Sequence, residues 1–214
     1  MAIDPRIARE NTATVVEKAH VKHQSKRDLR ACLLNARAAL PAAERIAHDA
    51  VIAAAVEAWL MQNPVQILGV YWPIRSEPNL RDLYAALAAR GVRLALPVVV
   101  GVDAPLLFAA WAPGDAVILD RWGIATPDIT VAVRPQALLI PCVGYDARGF
   151  RLGYGAGYYD RTLATHPPPQ AIGIAYTTGL ATFDVEPHDR ALDVVITEAA
   201  TGSAPHRAPA AMPE

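Results

Sequence analysis

Apolar residues along the chain recur first at helical and then at strand spacing, and this alternation sets the expected architecture. From 25 to 40, Leu29, Cys32, Leu33, Ala36 and Leu40 fall three or four apart, the period of one helix face. Ser25 stands where an N-cap is wanted, because its hydroxyl can accept an unpaired N–H of the first turn. A second helical pattern covers 42–61, with Ile46, Ala50, Ile52, Ala53, Val56 and Leu60 as its apolar set, and Asn63-Pro64 breaks it. Short apolar runs then read as buried strands at 66–71, 92–97, 105–111, 137–140 and 170–176, with a last one after Asp193. Between them lie a helix at 80–90, closed by Gly91 as a C′ residue, and one at 158–166, stopped by three prolines. Strands alternating with helices predict a single three-layer α/β/α domain with a mostly parallel, Rossmann-like sheet over 25–200. Residues 1–24 are polar and weakly patterned, an extension that is loosely ordered or helical. Residues 201–214 read as a disordered Ala/Pro-rich tail.

Composition narrows the function classes. Of the 214 residues 53% are hydrophobic and 19% charged, which suits one substantial core. A formal net charge of −1 supplies no overall basic field for nucleic acid. No apolar run approaches the roughly 20 residues of a membrane-spanning helix. The start lacks the apolar region of a secretory signal, so a cytoplasmic protein without membrane or nucleic-acid partners is expected. Cys32 and Cys142 fit no CxxC pattern and are expected to be buried free thiols.

The chemistry concentrates between 137 and 163. The strand ending at Pro141 is followed by Tyr145-Asp146-Ala147-Arg148-Gly149, which is turn chemistry, and then by RLGYGAGYYDR at 151–161. Gly153, Gly155 and Gly157 carry no Cβ, so this backbone can take positive φ and approach a ligand closely. Successive N–H groups in such a loop converge on an anion, and a helix start adds to them. Arg151 and Arg161 flank the loop, and Asp160 stands where a carboxylate can hold a divalent cation against phosphate oxygens. The plainer alternative is a glycine-rich turn feeding a helix. The arginines, the tyrosine pair and the aspartate favour a phosphate cradle. Elsewhere, Trp72 and Glu77 lie in a loop after a strand, which is where open α/β sheets bind ligands. Glu77 also suits a helix start, and Lys26 with Arg30 also suits a solvated helix face.

These residues carry a family resemblance. RLGYGAGYYDR, preceded by a strand ending in proline and a D-x-x-G turn, resembles the signature of the 5-formyltetrahydrofolate cyclo-ligases. Lys26-Arg27-Asp28-Leu29-Arg30 matches their K-x-x-L-R element, and His188-Asp189 to Asp193 matches their closing H-D-x-x-L-D. The resemblance implies an ATP- and Mg²⁺-dependent closure of 5-formyltetrahydrofolate to 5,10-methenyltetrahydrofolate, with ATP as co-substrate. By residue, it implies nucleotide contacts at Lys26, Arg30, Arg151, Gly153, Gly155, Gly157, Tyr158 and Tyr159. Folate contacts fall on Trp72, Glu77, Tyr154 and Tyr158, and metal ligation on Asp160 and Asp189. Arg151 and Asp160 are the expected catalytic pair. The implied partners are the small-molecule substrates, with the chain a monomer or weak homodimer. Two departures stand out: Thr126 occupies the usual glutamate of G-I-x-E-P, and no glutamine stands near Thr178. They leave room for a non-catalytic nucleotide- or folate-binding relative with a regulatory role, or for a plain interaction domain.

Overall fold

The computed structural model describes residues 25–128, 131–199 and 201–203; the expectations for 1–24 and 204–214 lie outside these. In chain order the elements are α1 (Lys26–Ala39), α2 (Ala42–Gln62), β1 (Ile67–Gly69), α3 (Arg81–Ala89), β2 (Arg93–Val98), β3 (Leu107–Trp111), β4 (Val117–Leu119), β5 (Ala125–Pro127), β6 (Ala132–Val133), β7 (Ala137–Pro141), β8 (Gly144–Tyr145), β9 (Arg151–Leu152), α4 (Tyr158–Leu163), β10 (Gln170–Ile174), β11 (Val194–Ile196) and β12 (Thr201–Ser203). The main sheet runs β12-β11-β10-β7-β1-β2-β3-β6. Its five central strands, β11 through β2, are mutually parallel, and β12, β3 and β6 extend it antiparallel at the two edges. Thr201–Ser203, expected within the tail, is therefore an edge strand paired with β11.

The parallel strands are buried on both faces, so they read as unbroken apolar runs. One face packs Leu68, Leu139, Ile172 and Ile174 against Ile52, Val56 and Leu60 of α2 and Leu83, Tyr84 and Leu87 of α3. The other face, with Leu138, Ile140 and Val195, is covered by Leu163 of α4 and by Leu192. The three layers are thus unequal: helices of 21 and 9 residues on one side, one of six residues and loops on the other. A third cluster joins Leu29 and Leu33 of α1 to Val143, Leu152 and Phe183, which fixes α1 over the exit of β7.

Ser25 caps α1 as expected, its hydroxyl accepting the Asp28 N–H at 3.1 Å. The buried line of α1 is Leu29, Leu33 and Arg37, spaced by four, so Cys32 and Ala36 lie off it and are exposed. Cys142 alone fits the expectation of a buried thiol, its pKa pushed up to about 12 by burial. In α2 the buried line is Ile52, Val56 and Leu60, continued towards the start by Asp49, whose Oδ1 accepts the Tyr176 hydroxyl at 2.6 Å; Ile46 is 70% exposed and Ala50 also faces out, because both lie off that line. The chain at 158–166 is helical only to Leu163. The hairpins β4–β5 and β8–β9 were not foreseen, since two- and three-residue strands are too short to show a period.

Candidate active site

The strand order places the site. From β1 the chain crosses through α3 to β2 on one side, and from β7 through α4 to β10 on the other. Because β1 and β7 are parallel neighbours, their carboxyl ends open a crevice at the topological switch point, the ligand position of open α/β sheets. Two segments enter it: the β1 loop, 70–80, and the chain from β7 through the glycine loop, 142–157.

The glycine loop is held from its base outwards. Asp146 is buried, and its Oδ1 accepts the N–H groups of Arg148 and Phe150, both at 2.9 Å, which closes the turn between β8 and β9. Gly155 sits at φ +99° and Gly157, the N-cap of α4, at φ +69°. A Cβ on Gly155 would meet Arg30 Cζ at 3.4 Å, and one on Gly157 would meet Arg161 Nη1 at 2.9 Å. Gly153 does not share the positive φ; its carbonyl accepts from Arg30 Nε at 2.8 Å. Arg30 thus lies along the loop. Arg161 donates to the Ala156 carbonyl at 2.7 Å and places its guanidinium 5.1 Å from the Tyr158 ring centroid. With six residues, α4 lends the loop only a weak dipole.

The expected metal ligands are found beside cations. Arg151 Nη2 lies 2.6 Å from Asp160 Oδ1, an ion pair without hydrogen-bond alignment, and Arg151 Nη1 donates to the Arg190 carbonyl at 2.9 Å. The Arg190 N–H donates to Asp160 Oδ1 at 3.2 Å, so the 186–190 segment abuts Asp160. Lys26 Nζ bridges Glu186 at 2.8 Å and Asp189 at 3.2 Å. For Asp189, burial works against the charge, but the Glu186 N–H and Lys26 outweigh it and hold the carboxyl below its usual range. For Lys26, burial likewise opposes the charge, and the bonds to Glu186 and Asp189 outweigh it, so its pKa is raised. Among the described residues no group of three or more His, Cys, Asp or Glu is gathered as a metal cage. Asp160 and Asp189, on abutting segments, nonetheless have the chemistry for Mg²⁺, which is bound through one or two carboxylates with phosphate oxygens completing its shell.

On the other wall, Glu77 is 4% exposed. Its Oε2 accepts the Ile74 N–H at 3.0 Å and its Oε1 accepts the Tyr154 hydroxyl at 2.7 Å. It does not cap the helix start, whose N-cap is Leu80; Asn79 Oδ1, one residue earlier, accepts the Arg81 N–H at 3.3 Å. The loop is closed by the Tyr71 hydroxyl donating to the Pro78 carbonyl at 2.6 Å. Trp72 packs edge-on against Trp111 at 6.0 Å and carries the Arg81 guanidinium at 4.5 Å. A cleft of about 380 Å³ opens beside this loop, lined by Trp72, Ile74, Arg75, Glu77, Arg45 and Arg81 among others.

The structure therefore gathers Lys26, Arg30, Arg151, the three glycines, Asp160 and Asp189 into one wall, and Trp72 and Glu77 into the other, with Tyr154 joining them. Tyr159 is placed differently from expectation: its ring packs against the second core cluster, so its work is structural. Two residues were missed. Arg37 is buried and donates to Tyr154 at 2.8 Å; its position four after Leu33 and eight after Leu29 was the available signal. Trp122, 49% exposed at the β4–β5 turn, stands 6.1 Å from Tyr158, a contact with no local sequence signal.

The 5-formyltetrahydrofolate cyclo-ligase family model matches residues 22–198. The chain belongs to the 5-formyltetrahydrofolate cyclo-ligase family. A 5-formyltetrahydrofolate cyclo-ligase of Mycolicibacterium smegmatis is 33% identical over 190 residues, covering 81% of this chain and 94% of that protein. One of Mycoplasma pneumoniae is 30% identical over 177 residues, covering 81% and 98%. Among solved structures, a 5,10-methenyltetrahydrofolate synthetase from Mycoplasma pneumoniae matches with a TM-score of 0.69 at 28% identity, over 82% of this chain and 99% of that one. The Aquifex aeolicus 5,10-methenyltetrahydrofolate synthetase matches with a TM-score of 0.74 over 88% and 96%; at 24% identity it bears on the fold alone. This cyclo-ligase-family enzyme keeps its two departures in structural places. Thr126 is buried in β5 opposite Ile118, and Thr178 lies in the 3-10 turn Thr177–Gly179, where Thr177 N–H donates to both oxygens of Glu198 at 3.0 Å.

Proposed function

We propose that this chain uses ATP and Mg²⁺ to close 5-formyltetrahydrofolate to 5,10-methenyltetrahydrofolate, releasing ADP and phosphate. The observation that carries this reading is the Tyr154–Glu77 hydrogen bond of 2.7 Å, which joins a phosphate-type glycine loop to a buried acceptor across one crevice. Two substrates bound on the two walls would meet there.

The formyl group on N5 is amide-like, and its oxygen is a poor leaving group until it is phosphorylated. Its attack on the γ-phosphorus releases ADP; N10 then bonds to the formyl carbon and gives up its proton, and phosphate departs with the former formyl oxygen. Such chemistry needs positioning and charge neutralisation more than a nucleophilic side chain. Lys26, Arg30 and Arg151 neutralise phosphate oxygens, and the N–H groups of Gly153 to Gly157 line the transferring group. Tyr158 packs beside the loop for nucleotide and substrate. Trp72 and Tyr154 offer stacking area to the pterin, and Glu77 accepts its N–H donors. Asp160 and Asp189 would hold Mg²⁺, which supplies neutralisation of phosphate charge. The enzyme works on small molecules in the cytoplasm, as a monomer or weak homodimer.

The test follows absorbance of the methenyl product from purified protein, with omission of ATP and of Mg²⁺ as controls. Product is expected only with 5-formyltetrahydrofolate, ATP and Mg²⁺ together. Folded protein that binds ATP but makes no product would overturn the reading in favour of a non-catalytic nucleotide- or folate-binding relative.

A further inference from the structure

Beneath Glu77 and Tyr154 lies Arg37, a buried arginine with no part in the phosphate or metal sites. It is 4% exposed and comes from the last turn of α1. Its guanidinium reaches three separate segments. Nε donates to the Arg75 carbonyl at 3.1 Å, Nη1 to the Cys142 carbonyl at 3.3 Å, and Nη2 to the Tyr154 hydroxyl at 2.8 Å. Those acceptors belong to the β1 loop, the end of β7 and the glycine loop. All three are uncharged; the anion is Glu77, one hydrogen bond further on through the tyrosine, at 2.7 Å.

The segment Arg37 braces is strained. Arg75 and Ser76 sit at φ 46° and φ 58°, and the Glu77 N–H donates to the Ile74 carbonyl at 2.9 Å across them. Positive φ at both central residues is the mark of a type I′ turn, which prefers Asn-Gly. An Arg-Ser pair persists there only where surrounding contacts over-determine it. The bond to the Arg75 carbonyl is one such contact, and the Glu77 carboxylate capping the Ile74 N–H at 3.0 Å is another.

We propose that Arg37 is the positioning residue of the folate side: it braces the Arg75–Ser76 turn and, through the Tyr154 hydroxyl, holds Glu77 in the orientation and ionised form that receive the N–H donors of a reduced pterin. This rests on the folate role of Glu77 given above. A bidentate-capable fork is required, because one point charge cannot serve two carbonyls and a hydroxyl in three directions. The groups facing Glu77 are Arg37 from α1, Arg75 and the Ile74 N–H from its own loop, and Tyr154 from the glycine loop. Tyr71, Tyr84 of α3, Tyr159 of α4 and the Cys142 thiol also feel its charge. Burial pushes the Glu77 carboxyl up, and Ile74, Tyr154, Arg37 and Arg75 pull it back. Loss of Arg37 therefore raises it further.

The experiment compares wild type, Arg37→Met, Arg37→Lys and Tyr154→Phe by NMR titration of ¹³C-labelled glutamate side chains and by steady-state kinetics across pH. In Arg37→Met the Glu77 midpoint is expected to rise and the acid limb of kcat/KM for the folate to move to higher pH. The folate KM should rise about tenfold or more, the value of a charge-assisted hydrogen bond, with the ATP KM within about threefold. Arg37→Lys should keep the Glu77 midpoint near wild type while only partly restoring the folate KM. Tyr154→Phe, at a residue 38% exposed, should move both readouts in the same direction, and adding Arg37→Met to it should change them less than Arg37→Met does alone. A Glu77 midpoint and acid limb unmoved in Arg37→Met, or in Tyr154→Phe should Arg37→Met fail to fold, would overturn the proposal. Absence of methenyl product from wild type would sink the folate reading, while the Glu77 titration, which needs no turnover, still decides whether Arg37 governs Glu77.

Discussion

Replacing Lys26 by Met separates a phosphate-binding lysine from a lysine that only fastens α1. Its ammonium contacts Glu186 at 2.8 Å and Asp189 at 3.2 Å, and its side chain is 22% exposed against 17% for Asp189. The Lys26–Asp189 pair, partly exposed, contributes about 0.5 kcal/mol to folding after solvent screening, and the exposed Glu186 is left out of that figure. For a chain of this size that lowers Tm by only about 1–2 °C. A charge-assisted contact to phosphate contributes more, about 1.5–3 kcal/mol, so the ATP KM should rise about 10- to 150-fold. The folate KM should stay within about threefold, because Trp72 and Glu77 stand on the other wall. The assay is the initial rate of methenyl formation, with each substrate varied at saturation of the other, beside a thermal melt. An ATP KM that barely moves, or a folate KM that rises more than the ATP KM, would refute the reasoning. Acid adds a second check. Asp189 has a folded pKa below its usual value, so its contribution is full above pH 3.8 and is lost as pH falls through the lower folded value. Without Lys26 that folded value rises, and acid unfolding should begin at higher pH.

Three further predictions follow from single contacts. Gly155→Ala places a Cβ at φ +99° and 3.4 Å from Arg30 Cζ; it should cost about 1–3 kcal/mol in denaturant unfolding and raise the ATP KM without changing the folate KM. Asp160→Ala should lower turnover about 100-fold or more while circular dichroism stays native, if the carboxylate serves the charge stabilisation proposed above; retained ATP-dependent turnover would refute that role. Thr126→Glu, the residue more usual in this family, should destabilise by about 2–5 kcal/mol and not raise turnover, because the site opposite Ile118 in β5 is buried. Higher activity in that variant would show that the position reaches substrate.

What the sequence made legible follows from how each feature is encoded. The parallel strands could be read because burial on both faces leaves unbroken apolar runs such as 137–140, and the glycine loop because alternate glycines have few other uses. The hairpins escaped because β4, β5, β8 and β9 hold two or three residues each, shorter than any period. Ile46 and Ala50 are expected in the core because they are apolar at helical spacing, but the inward line of α2 is continued at its start by a polar residue, Asp49, which bonds the Tyr176 hydroxyl. Arg37 escaped for the opposite reason. It completes the buried line of Leu29 and Leu33, but arginine on a helix normally counts as solvent-facing, and its partners Arg75, Cys142 and Tyr154 are 38, 105 and 117 positions away. The motif residues were found singly, while the pairing of Lys26 with Asp189, 163 positions on, could come only from the fold.

That pairing bears on how the nucleotide wall is built. Lys26 of α1 is matched to Glu186 and Asp189, and Arg151 of β9 to Asp160 of α4, while Arg190 ties the same segment to both by its N–H and carbonyl. These lysine and arginine contacts to carboxylates cross between chain segments, so the charges proposed to meet phosphate and metal here close the wall on itself. On the proposed reading, phosphate and Mg²⁺ must arrive together, because phosphate alone would have to strip Lys26 and Arg151 from their carboxylates and leave those carboxylates unpaired. On that reading Asp160 and Asp189 would hold the cation, and Lys26 and Arg151, freed of those carboxylates, would face phosphate oxygens. Charge would stay balanced through that exchange, so a metal–nucleotide pair would satisfy both halves of the wall at once.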